Sequence, residues 1–353
     1  MKEIINVGLI GYGGGGRFFH APVIDSVEGL KICKVYATNT ESVNHLKELY
    51  KDVSVVSSVD DIINDPNIHL AVVATPNEFH YEIAKNALEG GKHVVVEKPF
   101  TATTHEADKL ISLSSASKKL LTVHHNRRWD SDFKTVEKVV KSNLLGDIVD
   151  FEATFDRYNP NFKNAWKEKN VAGSGVLFDL GSHLIDQALC LFGLPVEVFA
   201  NIQIQKQGGQ VDDYFKLMLK YSNLNVILKA SSLVRELGPR YVLHGTKGSF
   251  IKYGMDVQEA HLKKGLIPKN NTAWGVEPED IWGKVNTEVN GLHVIGKIES
   301  EIGDYREFYK NVYESIVGEK TLYVTPQQGR YVIRIIELAM ESNTEKSWVR
   351  FQL

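Results

Sequence analysis

Basic residues are not in excess: 41 Lys and Arg stand against 44 Asp and Glu, for a net charge of -3. With no arginine-rich run and no basic stripe interleaved with aromatics, the electrostatic footprint of a nucleic-acid binder is missing. Cysteine is scarce. Cys33 and Cys190 lie far apart in apolar settings, which excludes a disulfide framework and points to buried thiols in a reducing compartment, so a cytoplasmic location is expected. No apolar run approaches membrane-spanning length, and the opening MKEIINVGLI passes at once into glycines, leaving no room for a signal-peptide core. H-E-x-x-H and clustered Cys/His spacings are also absent, so no metal is expected. Nor is there a G-x-S-x-G elbow or a Walker A loop. A small-molecule partner fits what remains.

What is present suits two domains. At 353 residues, 43% apolar and 24% charged, the chain is ordinary globular material and too long for one typical core. Short apolar runs at residues 4–10, 30–37, 54–56, 69–74, 93–97 and 120–124 read as strands. Helical spacing at 41–50, 80–88 and 105–118 falls between them, the rhythm of parallel βαβ units. Residues 1–124 are therefore expected to form a doubly wound, Rossmann-type domain. From about residue 150 the runs lengthen, to 148–157, 196–205, 214–221, 225–233 and 241–252, joined in part by short turns. Residues 125–353 are expected to form an α+β domain with an open, mainly antiparallel sheet. Helices are expected at 179–192, 305–317 and 326–345, with a short closing strand at 348–351. Segment 263–290 has no periodicity and reads as a long loop, either on the surface or at a subunit contact.

Three motifs carry chemistry in the first domain. Gly11, Gly13 and Gly16 satisfy G-x-G-x-x-G directly after the first strand, the spacing that lets backbone approach a pyrophosphate at a helix start. Pro22, early in the next helix, is expected to interrupt it. The second strand ends Ala37-Thr38-Asn39-Thr40 with no acid to repel a 2′-phosphate. Thr38, Asn39 and Thr40, with Arg17 nearby, favour NADP, and NAD stays open. Thr75 and Asn77 follow the fourth strand, and Asn77 is either a helix cap or a cofactor contact. In HVVVEKPF, Lys98 stands where a buried strand ends, beside apolar walls that shift an amine's pKa.

In the second half, Asp179, His183 and Asp186 stand at i, i+4 and i+7 and share one helix face, where a histidine flanked by carboxylates can exchange a proton. Gly173, Gly175 and Gly181 suggest close backbone approach by a cofactor or substrate edge. HHNRRWD offers Asn126 and Arg128 to hydroxyls or carboxylates, or else to salt bridges that link the domains. Arg157, Tyr158, Asn159 and Trp166 occupy a polar loop suited to binding and stacking on a sugar-like ring.

Taken together, GYGGGG, ATPNEFH, EKPF and GSGVLFDLGSH resemble the glucose-fructose oxidoreductase/inositol dehydrogenase/MocA family across both domains. The resemblance implies a catalytic Lys98 with Asp179 and His183, cofactor contacts that include Glu97 and Lys98, and dimers or tetramers formed through the second sheet. Segments GRFFHAP, HHNRRWD, DLGSHLIDQ and FIKYGMDVQE look most like its NADP-dependent scyllo-inositol 2-dehydrogenase branch, which has an arginine where this chain has Asn39. The expected activity is hydride transfer between NADP(H) and a secondary alcohol of a cyclic polyol or sugar. Two rivals are a dinucleotide-binding sensor or corepressor and a glycosidase using tightly held NAD.

Overall fold

The computed structural model describes residues 3–162 and 168–352. Backbone packing divides the chain into two compact units: Met1–Asn126, Gln258–Trp274 and Asp304–Tyr331 form the first, and Arg127–Val257, Gly275–Gly303 and Val332–Leu353 the second. The break at 126/127 lies close to the expected boundary at 124. A single boundary does not describe the chain, however, because segments 258–274 and 304–331 return to the first unit.

Six strands build the first unit: β1 (Ile5–Ile10), β2 (Leu30–Tyr36), β3 (Ser54–Val56), β4 (Leu70–Val73), β5 (His93–Val96) and β6 (Leu121–Val123). They lie in the order β3-β2-β1-β4-β5-β6, and every pairing is parallel. This is the doubly wound arrangement, whose order reverses between β1 and β4. All four residues of β4 are fully buried, as a central strand covered on both faces requires. The connecting helices Thr40–Leu49, His80–Glu89 and Thr104–Ser117 fall within a residue of expectation, and the last starts with a Thr103/Glu106 capping box. The returning segments supply aromatic packing. Tyr305, Phe308 and Tyr309 are buried, the Tyr313 ring fills the space where a side chain at Gly29 would stand, and Trp274 Nε1 donates to Gln258 Oε1 at 2.8 Å.

The second unit carries β7 (Ile148–Thr154), β8 (Glu197–Gln203), β9 (Tyr214–Lys220), β10 (Asn225–Ser231), β11 (Tyr241–Gly245), β12 (Gly248–Lys252), β13 (Gly283–Val289), β14 (Leu292–Ile298) and β15 (Val349–Arg350). Their order is β14-β13-β12-β11-β7-β10-β9-β8-β15. Only the β7/β10 pair is parallel among the described residues, so the sheet is mainly antiparallel. Two expectations need correction. The single strand expected at 241–252 is a hairpin, β11 turning into β12 with Tyr241 opposite Lys252. Segment 263–290 is not all loop: its end is β13, which pairs with β14 around Asn290-Gly291, both at positive φ.

The expected helices at 305–317 and 326–345 form as Arg306–Ile316 and Pro326–Glu345. Among the described residues, no helix is long and apolar enough to cross a membrane.

Candidate active site

Cofactor chemistry begins at the turn after β1. A Cβ at Gly11, where φ is +104°, would stand 2.5 Å from the Ala74 carbonyl oxygen, and one at Gly16 only 2.1 Å from that of Gly11. Both positions therefore need glycine. At Gly13 a Cβ would meet nothing within 4 Å, nor would one at the adjacent Gly14, so the exposed backbone is open to a ligand from above. The turn winds into a π-type segment, Gly15–His20, and then only one helical turn, Ala21–Ile24, with Pro22 in it. Thr75, at the carboxyl edge of β4, has a buried hydroxyl with no hydrogen-bond partner. An open glycine cradle and an orphaned hydroxyl on one sheet edge suit a dinucleotide.

Thr38, Asn39 and Thr40 are exposed at the end of β2. Asn39 already has a structural task, since its Oδ1 accepts from Ser42 N–H and caps the next helix. Arg17 Nη1 lies 3.2 Å from Glu41 Oε1. Asn77 opens a 3-10 turn, and Phe79 holds the N-cap position of the following helix without a side-chain bond.

The residue that organises this loop is His80, which sequence reading missed. It is buried, with Nδ1 2.9 Å from the Pro99 carbonyl oxygen and Nε2 3.0 Å from that of Thr75. It therefore ties the loop after β4 to the step after Lys98. Burial pushes the ring's pKa down, against the pull of both carbonyls and Glu97.

Glu97 and Lys98 follow β5, half-buried. Glu97 Oε1 is 2.7 Å from His124 Nδ1 and 3.2 Å from His20 Nε2, the latter poorly aligned for a hydrogen bond. His20 Nδ1 meets Tyr309 Oη at 2.5 Å. Among the described residues this is the one group of metal-ligand type, and the sequence reading did not foresee it. Its spacing fits shared protons better than a metal. Tetrahedral zinc ligands at 2.0–2.1 Å from the ion stand roughly 3.3–3.4 Å apart, wider than the 2.7 Å contact. One proton arrangement satisfies the set: Tyr309 donates to His20 Nδ1, His20 Nε2–H faces Glu97, and His124 donates from Nδ1, its buried Nε2 having no partner. Burial alone would raise the Glu97 pKa, but the hydrogen bond to His124 and the facing His20 outweigh it and hold the carboxyl well below its ordinary range. Burial and the neighbouring His124 bring His20 down to about 4.

In the second unit, Asp179 lies in a π-type turn, Leu177–Gly181, that leads into helix Ser182–Phe192. Asp179 is half-buried, 3.9 Å from Arg157 Nη2. His183 is buried in the first helical turn. Asp186, on the same helix, forms a bidentate pair with Arg128: Nε to Oδ2 is 2.8 Å and Nη2 to Oδ1 is 2.6 Å. Arg128 thus makes a salt bridge, one within the second unit rather than between domains.

The glycines here also serve packing. A Cβ at Gly175 would lie 2.0 Å from Asp212 Oδ1, and one at Gly181 would crowd Leu177 and Phe215. Asp212 was missed in the sequence. Its carboxylate accepts from Leu177 N–H at 2.6 Å and its carbonyl from Val176 N–H, anchoring the turn that carries Asp179. Burial, chiefly, raises its pKa to about 6. The Tyr158 ring, exposed, is stacked by the Arg235 guanidinium at 4.1 Å. Asn126 is buried at the start of the 3-10 turn Asn126–Trp129. Trp166 lies outside the described residues.

A doubly wound sheet with an open glycine turn and a lysine at a neighbouring strand end defines a dinucleotide-dependent oxidoreductase. The chain belongs to the Gfo/Idh/MocA oxidoreductase family: residues 5–125 match its NAD-binding Rossmann fold, and residues 137–351 its C-terminal alpha/beta domain. It is 41% identical to the scyllo-inositol 2-dehydrogenase (NADP(+)) IolW of Bacillus subtilis over 350 residues, 99% of this chain and 97% of that protein. Levoglucosan dehydrogenase of Pseudarthrobacter phenanthrenivorans is 27% identical, covering 98% and 97% of the two chains. The solved structure of the oxidoreductase YvaA from Bacillus subtilis superposes with a TM-score of 0.96 at 41% identity, covering 100% of this chain and 99% of that one. The chain is an NAD(P)-dependent dehydrogenase acting on CH–OH groups.

Proposed function

We propose that this dehydrogenase interconverts a ring polyol and its ketone, with scyllo-inositol as substrate and NADP as cofactor. The observation that carries the substrate is 41% identity over 99% of the chain to a scyllo-inositol dehydrogenase. Bound nicotinamide supplies the acceptor or donor of hydride. His183 takes the hydroxyl proton during oxidation, oriented by Asp179, and returns it during reduction. The ammonium of Lys98 stabilises charge developing on the same oxygen. Oxidation therefore rises with pH as His183 loses its proton, and reduction declines over the same range. Asn126, Tyr158 and Trp166 bind the substrate's remaining hydroxyls and ring face. Arg128 serves by holding Asp186. In this reading the protein is a cytoplasmic homodimer or homotetramer, which light scattering checks.

The test is nicotinamide absorbance with NADP or NAD and a panel of scyllo-inositol, myo-inositol, aldoses and the matching ketones. Turnover with scyllo-inositol and NADP is expected. Turnover with aldoses alone would move the substrate, and cofactor binding without turnover would sink the reading.

Cofactor choice has its own test. No acid stands at the exposed end of β2, so Thr38→Asp is expected to place a carboxylate against the 2′-phosphate. The ratio of kcat/KM for NADP over NAD should fall about tenfold or more, the scale of one close like-charge contact. An unchanged ratio would place the 2′-phosphate elsewhere.

A further inference from the structure

Burying a carboxylate is costly, and a brace between strand ends does not need one. Yet Glu97, at the end of β5, is held ionised by His124 at 2.7 Å and faced by His20 at 3.2 Å. Tyr309 meets His20 Nδ1, and the buried Nε2 of His124 has no partner for a second ring proton, so one proton on each ring satisfies the donors and leaves the group with the negative charge of Glu97. Its position in the sheet says what that charge meets. The dinucleotide crosses the reversal between β1 and β4 with one mononucleotide on each half. The exposed Thr38–Thr40 end of β2 takes the adenosine side in the reading above, which leaves the β4–β6 half to the nicotinamide. That ring is a cation when oxidised and neutral when reduced.

We propose that Glu97, clamped by His20 and His124, is a fixed anion by which the protein favours the oxidised over the reduced cofactor. His20, His124 and Tyr309 are positioning residues: they keep the carboxylate ionised and aimed. The inference rests on the dinucleotide reading of the first unit. His80 feels the charges of both Glu97 and Lys98, and the Lys98 ammonium, next in sequence, acts on the ring in the opposite sense.

The experiment is titration of the full-length protein with NADP+ and NADPH near neutral pH, followed by tryptophan fluorescence. Glu97→Gln, which keeps the shape and removes the charge, is expected to shift the ratio of the two dissociation constants about tenfold toward the reduced form. Glu97→Asp should retain most of the wild-type ratio, and Lys98→Met should move it the other way. Equal weakening of both forms in Glu97→Gln would make the group a brace and overturn the inference alone, as would an unchanged ratio. A wild-type protein that binds neither form would overturn the dinucleotide reading with it. If Glu97→Gln does not fold, His124→Phe, which removes the donor at 2.7 Å, carries the test. With one donor fewer, the ratio should shift toward the reduced form in mildly acidic buffer, and a pH-independent ratio would count against the proposal.

Discussion

Lys98→Ala and His183→Ala are each expected to lower turnover by on the order of 100- to 10,000-fold, the span of a positioned proton-transfer or charge-stabilising group. The two losses should differ in their pH profiles. His183→Ala removes the group whose proton is exchanged, so the opposed pH dependences of oxidation and reduction should flatten. Lys98→Ala removes charge stabilisation and should leave those slopes in place at lower amplitude. Lys98→Arg discriminates further, because it restores charge without the compact ammonium and should recover only part of the rate. NADP+ should still bind both alanine variants, since the open turn at Gly13 contains neither side chain. Normal turnover in both would show that the proposed mechanism is wrong.

The first unit was legible because its strands are continuous apolar runs bounded by glycine, proline or polar residues, and parallel pairing leaves such runs no other place than a covered sheet. Glu97 and Lys98 emerge at a strand end because three buried valines of β5 precede them. What the sequence hides is long-range. Nothing local to Asp304–Tyr331 says that it packs in the first unit, where Val324 and Tyr313 meet Thr122 and Gly29, 200 or more residues away in sequence. His20, Glu97, His124 and Tyr309 come from four separate segments, so no spacing rule could assemble them. The β13/β14 hairpin is different. Asn-Gly is the strongest short signal for a tight hairpin, and Asn290-Gly291 stands between Val285–Thr287, which alternate inward, and the exposed β14. The signal was present, but the glycines, prolines and tryptophans upstream of it masked the alternation. At 241–252 the reverse happened: Gly245 and Gly248 mark a turn inside what reads as one apolar run.

Arg128 separates a structural from a substrate role most sharply. Its side chain and that of Asp186 are each only 3% exposed, and the fork-to-fork geometry at 2.8 and 2.6 Å accounts for a charge neither could carry there alone. Arg128→Met removes the bidentate cation from a buried carboxylate, so unfolding free energy should fall by about 3–5 kcal/mol. Helix Ser182–Phe192 should be affected first, because Asp186 lies one turn from His183. The next residue, Gln187, donates to the Arg127 carbonyl at 3.0 Å and accepts from Tyr241 Oη at 2.9 Å. The double variant Arg128→Met, Asp186→Leu removes both charges and should recover most of the loss, because a buried pair replaced by apolar groups of similar size is often neutral or better. Denaturant titration of the three variants against wild type measures this. A substrate-binding Arg128 would give another pattern: stability within about 0.5 kcal/mol of wild type with a raised KM, and Asp186→Leu would not compensate. Recovery of stability in the double variant therefore assigns Arg128 to the support of the histidine helix.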